Sequence, residues 1–367
     1  MFRIPGFSRQ FDWMLAVAVF VLVLLGLAAI YSVALSQESA DFLFVKKQLI
    51  ALLIGVVLFA VFAFSNYRLL RSYSAVLYFL GVLLLILVLI FGVTVRGTTG
   101  WFSLLGFSFQ PVELMKIILV VVLARYFADR ARRQLGWREI IESGGLTAVP
   151  VGLVLLQPDL GSALVLVFIW GFVLIMSGLK KRHALALFAS GTVVFVMSWL
   201  FLFADYQKAR ILTFLNPTAD PLGQGYNVTQ AIIAIGSGQW FGRGLGFGSQ
   251  SQLKFLPEAQ TDFIFAVIAE ELGFLGVALV LSAFALLFLR IIRLAKLSTD
   301  NFTSYLLLGI GGSLFFQFVV NVGMNLGLLP VTGIALPFVS YGGSALISAL
   351  LMLGIVESIA LRTQSVR

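Results

Sequence analysis

Long apolar segments recur along this chain and constrain its fold more than any other feature. A run of about 20 apolar residues can cross the roughly 30 Å hydrocarbon core of a bilayer as a helix. Only 11% of the 367 residues are charged and 60% are hydrophobic, whereas soluble domains carry about 25% charged residues. The sequence therefore predicts an all-α integral membrane protein that forms a single polytopic domain over residues 1–367.

Ten transmembrane helices are predicted, with a large extracytoplasmic loop at about 204–261 between helices 7 and 8. The apolar segments lie at 11–35, 43–64, 73–93, 111–128, 141–157, 160–178, 184–203, 262–290, 304–328 and 337–361. Both loops that flank 141–178 are strongly basic, so this stretch should cross the membrane twice. We therefore interpret Gln157 to Gly161 as the tip of a hairpin that points outward.

The distribution of basic residues orients the predicted helices. Of the 25 lysines and arginines, 17 lie on the side that holds both termini and seven lie on the other side. Basic loops face the cytoplasm, so both termini are predicted to be cytoplasmic. The same rule explains the net charge of +9, and no nucleic acid partner is predicted. The chain has no cysteine and only one histidine, which excludes disulfides and a histidine metal cluster.

One acid, Asp262, lies where the long polar loop meets the eighth helix. A carboxylate at a membrane boundary is costly to keep there, which makes it a functional candidate. With Phe263 to Phe265 beside it, Asp262 could serve as a general base in a partly desolvated site. An acid that opens a helix also serves as a cap. Both interpretations stay open.

Two further candidates carry opposite charges at the start of the fourth helix. Glu113 and Lys116 are three residues apart, so they share one helix face. They form either a structural ion pair or a site in which Lys116 binds an anionic headgroup that Glu113 orients. Asp159, at the hairpin tip, is either a turn residue or part of a polar cavity on the side of Asp262.

Polar residues on the outer side form a last group of candidates. Gln207 and Arg210 follow the seventh helix, and Lys47 lies at the outer end of the second. Basic residues are less expected here than in cytoplasmic loops. Recognition of pyrophosphate would explain them, since arginine matches phosphate oxygens with two hydrogen bonds. The alternative is that they are interfacial charges that extend to water.

Three motifs together resemble the SEDS family (shape, elongation, division and sporulation). They are Gln110 to Lys116, Gly225 to Phe265, and Pro330 to Ser344, and the resemblance covers nearly the whole chain. Residues 330–334 and 248–258 look more like the elongation members than the division members. Gln260 and Val112 depart from the family pattern, which usually has histidine and serine there.

The resemblance implies a ten-helix peptidoglycan glycosyltransferase of the bacterial inner membrane. Such an enzyme polymerises lipid II into β-1,4 glycan strands during cell elongation and releases undecaprenyl pyrophosphate. Asp262 matches the family's essential acid, the expected general base. Positions that line the family's polar cavity are matched by Glu113, Lys116, Asp159, Gln207 and Arg210.

The implied partners are a class B penicillin-binding protein that supplies transpeptidation and other membrane proteins of the elongation complex. A divalent cation, magnesium or manganese, is expected to assist the leaving group, and no organic cofactor is expected. The alternatives are a lipid II flippase, a division-type polymerase and a non-catalytic scaffold for the transpeptidase.

Overall fold

The computed structural model describes residues 11–35, 42–95, 97–104, 107–131, 135–201, 203–216 and 223–364. Within these ranges the chain forms thirteen helices and one small antiparallel sheet. Seven of the helices are long and apolar enough to cross a membrane. The chain is therefore a multi-pass membrane protein.

The elements are numbered in chain order. The helices are α1 (Trp13–Leu35), α2 (Leu43–Phe64), α3 (Arg68–Phe91), α4 (Pro111–Ala128), α5 (Trp137–Leu155), α6 (Leu160–Met176), α7 (Lys181–Phe201), α8 (Asp205–Leu215), α9 (Gln224–Ser237), α10 (Ser249–Gln252), α11 (Ile264–Leu297), α12 (Asn301–Asn325) and α13 (Gly343–Gln364). The strands are β1 (Val93–Val95), β2 (Thr98–Leu104) and β3 (Phe107–Phe109).

Each of the ten predicted apolar segments coincides with a helix, α1 to α7 or α11 to α13. Seven of these qualify as membrane spans, namely α1, α2, α3, α7, α11, α12 and α13. The number of crossings, ten, stays a prediction. Three helices that the sequence did not suggest, α8, α9 and α10, lie inside the 204–261 loop. Six of the basic residues used for the orientation, Arg3, Arg9, Arg96, Arg132, Arg133 and Arg367, lie outside the described residues.

Helix α4 occupies the centre of the bundle. Fourteen of its 18 residues are buried, as expected for a helix that is apolar on all sides. Pro111 is its first residue, where the missing N–H of proline costs nothing. Helices α3 and α12 pack against α4, α11 packs against α1 and α12, and α13 packs against α2. This arrangement carries Glu113 and Lys116 into the interior.

A short antiparallel sheet connects α3 to α4. Strand β2 pairs with β1 through Val93 and Trp101, and with β3 through Ser103 and Ser108. These strands were not predicted, because they are short and interrupted by glycine. The sheet ends directly before Gln110 and so fixes where α4 begins.

Helix α11 is broken at Gly273, whose φ of 65° and ψ of −160° are not helical. The loop after α9 hydrogen-bonds to the main chain at the break. Arg243 N–H donates to the Glu270 carbonyl at 3.0 Å, and Phe274 N–H donates to the Gln239 carbonyl at 2.8 Å. The main-chain groups that the break removes from the helix ladder therefore find partners in the loop.

Candidate active site

Asp262 lies in a turn directly before α11. Its N–H donates to the Glu258 carbonyl at 3.1 Å, and its side chain is half-buried. The helix itself begins at Ile264, with Phe263 at the N-cap position. Asp262 thus precedes the cap position that the sequence suggested for it.

Two fully buried asparagines of α12 hold the main chain of this turn. The side-chain amides of Asn321 and Asn325 both donate to the Asp262 carbonyl, at 3.1 Å and 2.9 Å. The Asn325 side-chain oxygen accepts from the N–H of Ala266 at 3.1 Å. Ala266 lies in the first turn of α11, so Asn325 supplies from another helix a bond that an N-cap side chain usually makes.

The chain after α12 passes beside the Asp262 carboxylate. Asn321 also donates to the Ile334 carbonyl at 2.9 Å, which ties this stretch to the turn. Gly333 has a φ of 75°, and a Cβ placed on it would lie 3.9 Å from Asp262 Oδ2. Glycine adopts this conformation without steric cost, so bare main chain borders the carboxylate on this side.

The hairpin tip between α5 and α6 lies against the same stretch of chain. A Cβ on Gly161 would lie 2.7 Å from the Thr332 carbonyl. Asp159 caps α6, accepting from Ser162 N at 2.9 Å and from Ser162 Oγ at 2.7 Å, and Gln110 Nε2 donates to it at 3.0 Å. Helices α5 and α6 therefore form the predicted hairpin, whose outward orientation stays a prediction, and its tip and Asp262 flank residues 332–333.

Arg210, on α8, lines a cavity next to this stretch. The other lining residues include Thr213, Phe214, Val228, Leu329, Pro330 and Val331. Three of the lining residues, 329–331, lie two to four positions before Gly333, which borders the Asp262 carboxylate. Gln207 has a local role, since its side-chain oxygen accepts from Ala204 N–H at 3.0 Å and so caps α8.

Glu113 and Lys116 form a buried ion pair on α4. The distance from Lys116 Nζ to Glu113 Oε2 is 2.7 Å, and their side chains are only 3% and 11% exposed. Gln317 Oε1 accepts from Lys116 Nζ at 3.2 Å, and Ser348 Oγ donates to Glu113 Oε2 at 2.9 Å. Both charges are thus neutralised and hydrogen-bonded within the protein, as buried charges must be.

The partner of Lys116 belongs to a polar stripe that runs along α12. Its members are spaced four residues apart and are all buried; they are Ser313, Gln317, Asn321 and Asn325. The stripe is about 18 Å long, with the α4 ion pair near one end and Asp262 at the other. Sequence reasoning missed it, although polar residues at intervals of four in an apolar helix are a sign of hydrogen bonds between helices.

A second set of contacts holds the same turn from the other side. Ser340 Oγ donates to the Thr261 carbonyl at 2.6 Å. Gln48, on α2, donates to the Ser340 carbonyl at 3.2 Å and accepts from Gly342 N–H at 3.1 Å. Lys47 directly precedes Gln48 and is half-buried, which puts it beside the contact between α2 and this chain segment.

The residues that the structure describes include no group of three or more His, Cys, Asp or Glu able to hold a metal ion. They provide no closed metal cage. Magnesium usually binds one or two carboxylates together with substrate phosphates, so the divalent cation stays a prediction.

Two of these residues, Asp262 and Arg210, could carry different chemistry. The main-chain carbonyl of Asp262 is fixed by two buried side-chain amides. Its carboxylate is a group that can accept a proton. Arg210 presents a fixed positive charge at a cavity on the neighbouring chain segment, which suits an anionic group. Gly333 borders the Asp262 carboxylate and follows the chain segment that lines the Arg210 cavity.

This chain is similar to known proteins along nearly its entire length. "Probable peptidoglycan glycosyltransferase FtsW" of Trichlorobacter lovleyi is 38% identical over 371 residues, covering 98% of this chain and 95% of that protein. "Peptidoglycan glycosyltransferase MrdB" of Escherichia coli K12 is 38% identical over 344 residues, 92% of each. A solved peptidoglycan synthase complex, described as coordinating polymerization and crosslinking, contains a chain that superposes with a TM-score of 0.81 at 37% identity, covering 96% of this chain and 98% of that one.

The family model described as "Cell cycle protein", built on FtsW, RodA and SpoVE, matches residues 12–365. The match includes Asp262, the α12 stripe and the chain segment around Gly333. The resemblance to the SEDS family is thereby confirmed, and the chain belongs to the FtsW/RodA/SpoVE family.

Proposed function

We propose that this protein is a peptidoglycan glycosyltransferase that polymerises lipid II into β-1,4 glycan strands. The names of the relatives support this activity. The observation that carries it is the half-buried Asp262, whose main-chain carbonyl is held by two buried asparagines and whose carboxylate is bordered by the bare main chain of Gly333. Because glycine has no side chain, position 333 leaves room for a sugar hydroxyl beside this carboxylate.

In the proposed reaction, Asp262 accepts the proton of the GlcNAc 4-hydroxyl of an incoming lipid II. The freed oxygen attacks the anomeric carbon of the lipid-linked MurNAc at the end of the growing chain. The bond from that carbon to the pyrophosphate oxygen breaks, and undecaprenyl pyrophosphate leaves with the bonding electrons. Inversion at the anomeric carbon gives the β-1,4 linkage. General-base assistance of this kind contributes about 10²–10⁴-fold.

Arg210 is proposed to bind the pyrophosphate of one of the two substrates. Its cavity lies next to the chain segment that leads to Gly333, and a guanidinium can form two hydrogen bonds with a phosphate. The leaving group gains negative charge, so a fixed cation beside it stabilises the transition state. A divalent cation held mainly by the phosphates themselves would add to this effect.

The remaining predicted site residues are proposed to stabilise the elements around the site or to lie at its rim. The Glu113–Lys116 pair is buried and joined to α12 and α13 by hydrogen bonds, which favours a structural ion pair over direct headgroup binding. Asp159 caps α6 at the hairpin tip. Gln207 caps the helix that carries Arg210, and Lys47 is proposed as a cation at the rim of the site.

The setting proposed for this reaction is the bacterial inner membrane, with ten crossings, cytoplasmic termini and the site on the outer side. The 17 to 7 distribution of basic residues supports this orientation. We assign the protein to cell elongation on the residues of 248–258 and 330–334. A class B penicillin-binding protein is the proposed partner, supported by the structural similarity to a peptidoglycan synthase complex. Other elongation-complex membrane proteins are proposed as further partners.

The decisive experiment compares purified native protein with Asp262→Ala in a lipid II polymerisation assay. We expect the variant to lose at least about 10²-fold in rate while remaining monodisperse. Asp300→Ala is a matched control, because Asp300 is also a half-buried acid before a transmembrane helix, where it caps α12 through Thr303. Its loss should cost about 1 kcal/mol of stability and leave the specific rate unchanged.

Glycan strands formed at a near-native rate by Asp262→Ala would overturn the general-base role. If native protein in vesicles moved labelled lipid II across the bilayer and made no polymer, the flippase would replace the polymerase.

A further inference from the structure

Two buried asparagines, Asn321 and Asn325, hydrogen-bond to the main chain of Asp262. Asn321 and Asn325 are fully buried on α12, and all the hydrogen bonds of their side-chain nitrogens end on main-chain or amide oxygens around the site. Two donors therefore converge on one carbonyl, that of Asp262. A carbonyl before a helix start needs a partner, but a single donor would satisfy that need.

Asn321 joins the two sides of the site. Its amide nitrogen lies 3.1 Å from the Asp262 carbonyl and 2.9 Å from the Ile334 carbonyl. Ile334 follows Gly333, whose main chain borders the Asp262 carboxylate. The Asn321 side chain thus fixes the distance between the main chain of Asp262 and the main chain at Gly333 and Ile334.

Asn325 fixes the direction in which the turn enters α11. Its nitrogen donates to the Asp262 carbonyl at 2.9 Å and to the Asn321 carbonyl at 2.8 Å, while its oxygen accepts from Ala266 N–H at 3.1 Å. A side-chain amide offers two N–H donors and a carbonyl acceptor on one planar group, which suits these three partners. Residues on both sides of the N-cap are therefore held by the same side chain.

We propose that Asn321 and Asn325 are positioning residues that fix the Asp262 carboxylate relative to the Gly333 main chain, so that a sugar hydroxyl bound between them lies within reach for proton transfer to the carboxylate. This inference rests on the proposed function, because it takes Asp262 as the base. The asparagines touch the main chain of Asp262 and act only through it. A displacement of about 1 Å at a reacting group can cost about 10²-fold in rate.

The test uses full-length Asn321→Ala and Asn325→Ala in the lipid II polymerisation assay, with kcat and KM measured separately. We expect kcat to fall by about 10–10²-fold and KM for lipid II to stay within about threefold, since neither residue is placed at the pyrophosphate cavity. Ser358→Ala is the matched control: Ser358 is equally buried and donates to the Ser65 carbonyl at 2.6 Å, about 22 Å along α13 from its start. That variant should keep the native kcat.

Thermal melting of the same samples separates positioning from simple stabilisation. A fall in rate that only matches the loss of folded protein, or that Ser358→Ala shows equally, would overturn the proposal. Should an alanine variant fail to fold, Asn321→Ser and Asn325→Ser retain a small polar group and are measured instead, with the same expected fall in kcat. Full activity of both asparagine variants together with an inactive Asp262→Ala would refute the positioning role and leave the polymerase intact. An active Asp262→Ala would refute the proposed function itself.

Discussion

Breaking the buried Glu113–Lys116 pair one charge at a time should reveal whether it stabilises the fold or binds substrate. Lys116→Met leaves the Glu113 carboxylate, which is 11% exposed, without the ammonium that lies 2.7 Å away. Removing one partner of a buried ion pair costs about 3–5 kcal/mol, whereas replacing both by neutral groups is often close to neutral. We therefore expect Lys116→Met to destabilise strongly and Glu113→Gln/Lys116→Met to recover most of the loss.

The expected size of the effect can be expressed as a melting temperature. Unfolding entropies of about 2.1 cal/mol/K per residue give about 0.8 kcal/mol/K for a chain of this length. A loss of about 3–5 kcal/mol then lowers the melting temperature by about 4–6 °C. Glutamine at position 113 keeps an oxygen for the Ser348 hydroxyl, which now donates at 2.9 Å, so the double variant should melt within about 2 °C of the native protein.

The assay is thermal unfolding in detergent, followed by polymerisation at a temperature where all variants are folded. If the pair is structural, the double variant regains both stability and activity. A single Lys116→Met variant as stable as the native protein would refute this reasoning, because a buried, unpaired carboxylate would then cost nothing. A double variant that is stable but inactive would restore the substrate-binding interpretation.

Two further predictions concern other parts of the molecule. Arg210→Ala should raise KM for lipid II with little change in melting temperature, because Arg210 lines a cavity on α8; a large loss of stability with full specific activity would instead identify it as a structural residue. Gly273→Ala should destabilise the protein by about 1–3 kcal/mol from backbone strain alone, since φ there is 65° and a Cβ would lie 2.8 Å from the Gly238 carbonyl. A native melting temperature for that variant would contradict this prediction, because it would show that the main chain at the break accommodates a Cβ without strain.

Much of the helical framework could be predicted because apolar runs of transmembrane length are a strong signal. Among the ten predicted helices, the differences lie at the ends. The last helix was expected from residue 337 but begins at Gly343, and α11 extends to Leu297 rather than to residue 290. In the first case the chain from Leu336 to Ser340 forms turns that hydrogen-bond to the Asp262 turn, which apolar composition alone does not indicate.

The candidate site was only partly predictable. Asp262 stood out because a carboxylate lies where the long polar loop meets an apolar helix. Asn321 and Asn325 did not, since their partners lie 59 and 63 residues away in the sequence and no local pattern encodes such a contact. The cap formed by Gln207 within α8 was likewise missed, because this helix of 11 residues is too short and too polar to resemble a membrane span.

The broken helix α11 determines where the long loop can change during evolution. Residues 239–244 occupy the gap at Gly273 with hydrogen bonds from Arg243, Gly244, Phe274 and Leu275, each to a main-chain carbonyl. An insertion within 239–244 would strip these amides of their partners, whereas one in the turn before Glu258 would leave them in place. Natural insertions and deletions should therefore occur before or after these six residues and not within them. Although they precede α11 in the sequence, they complete its hydrogen bonding at the break.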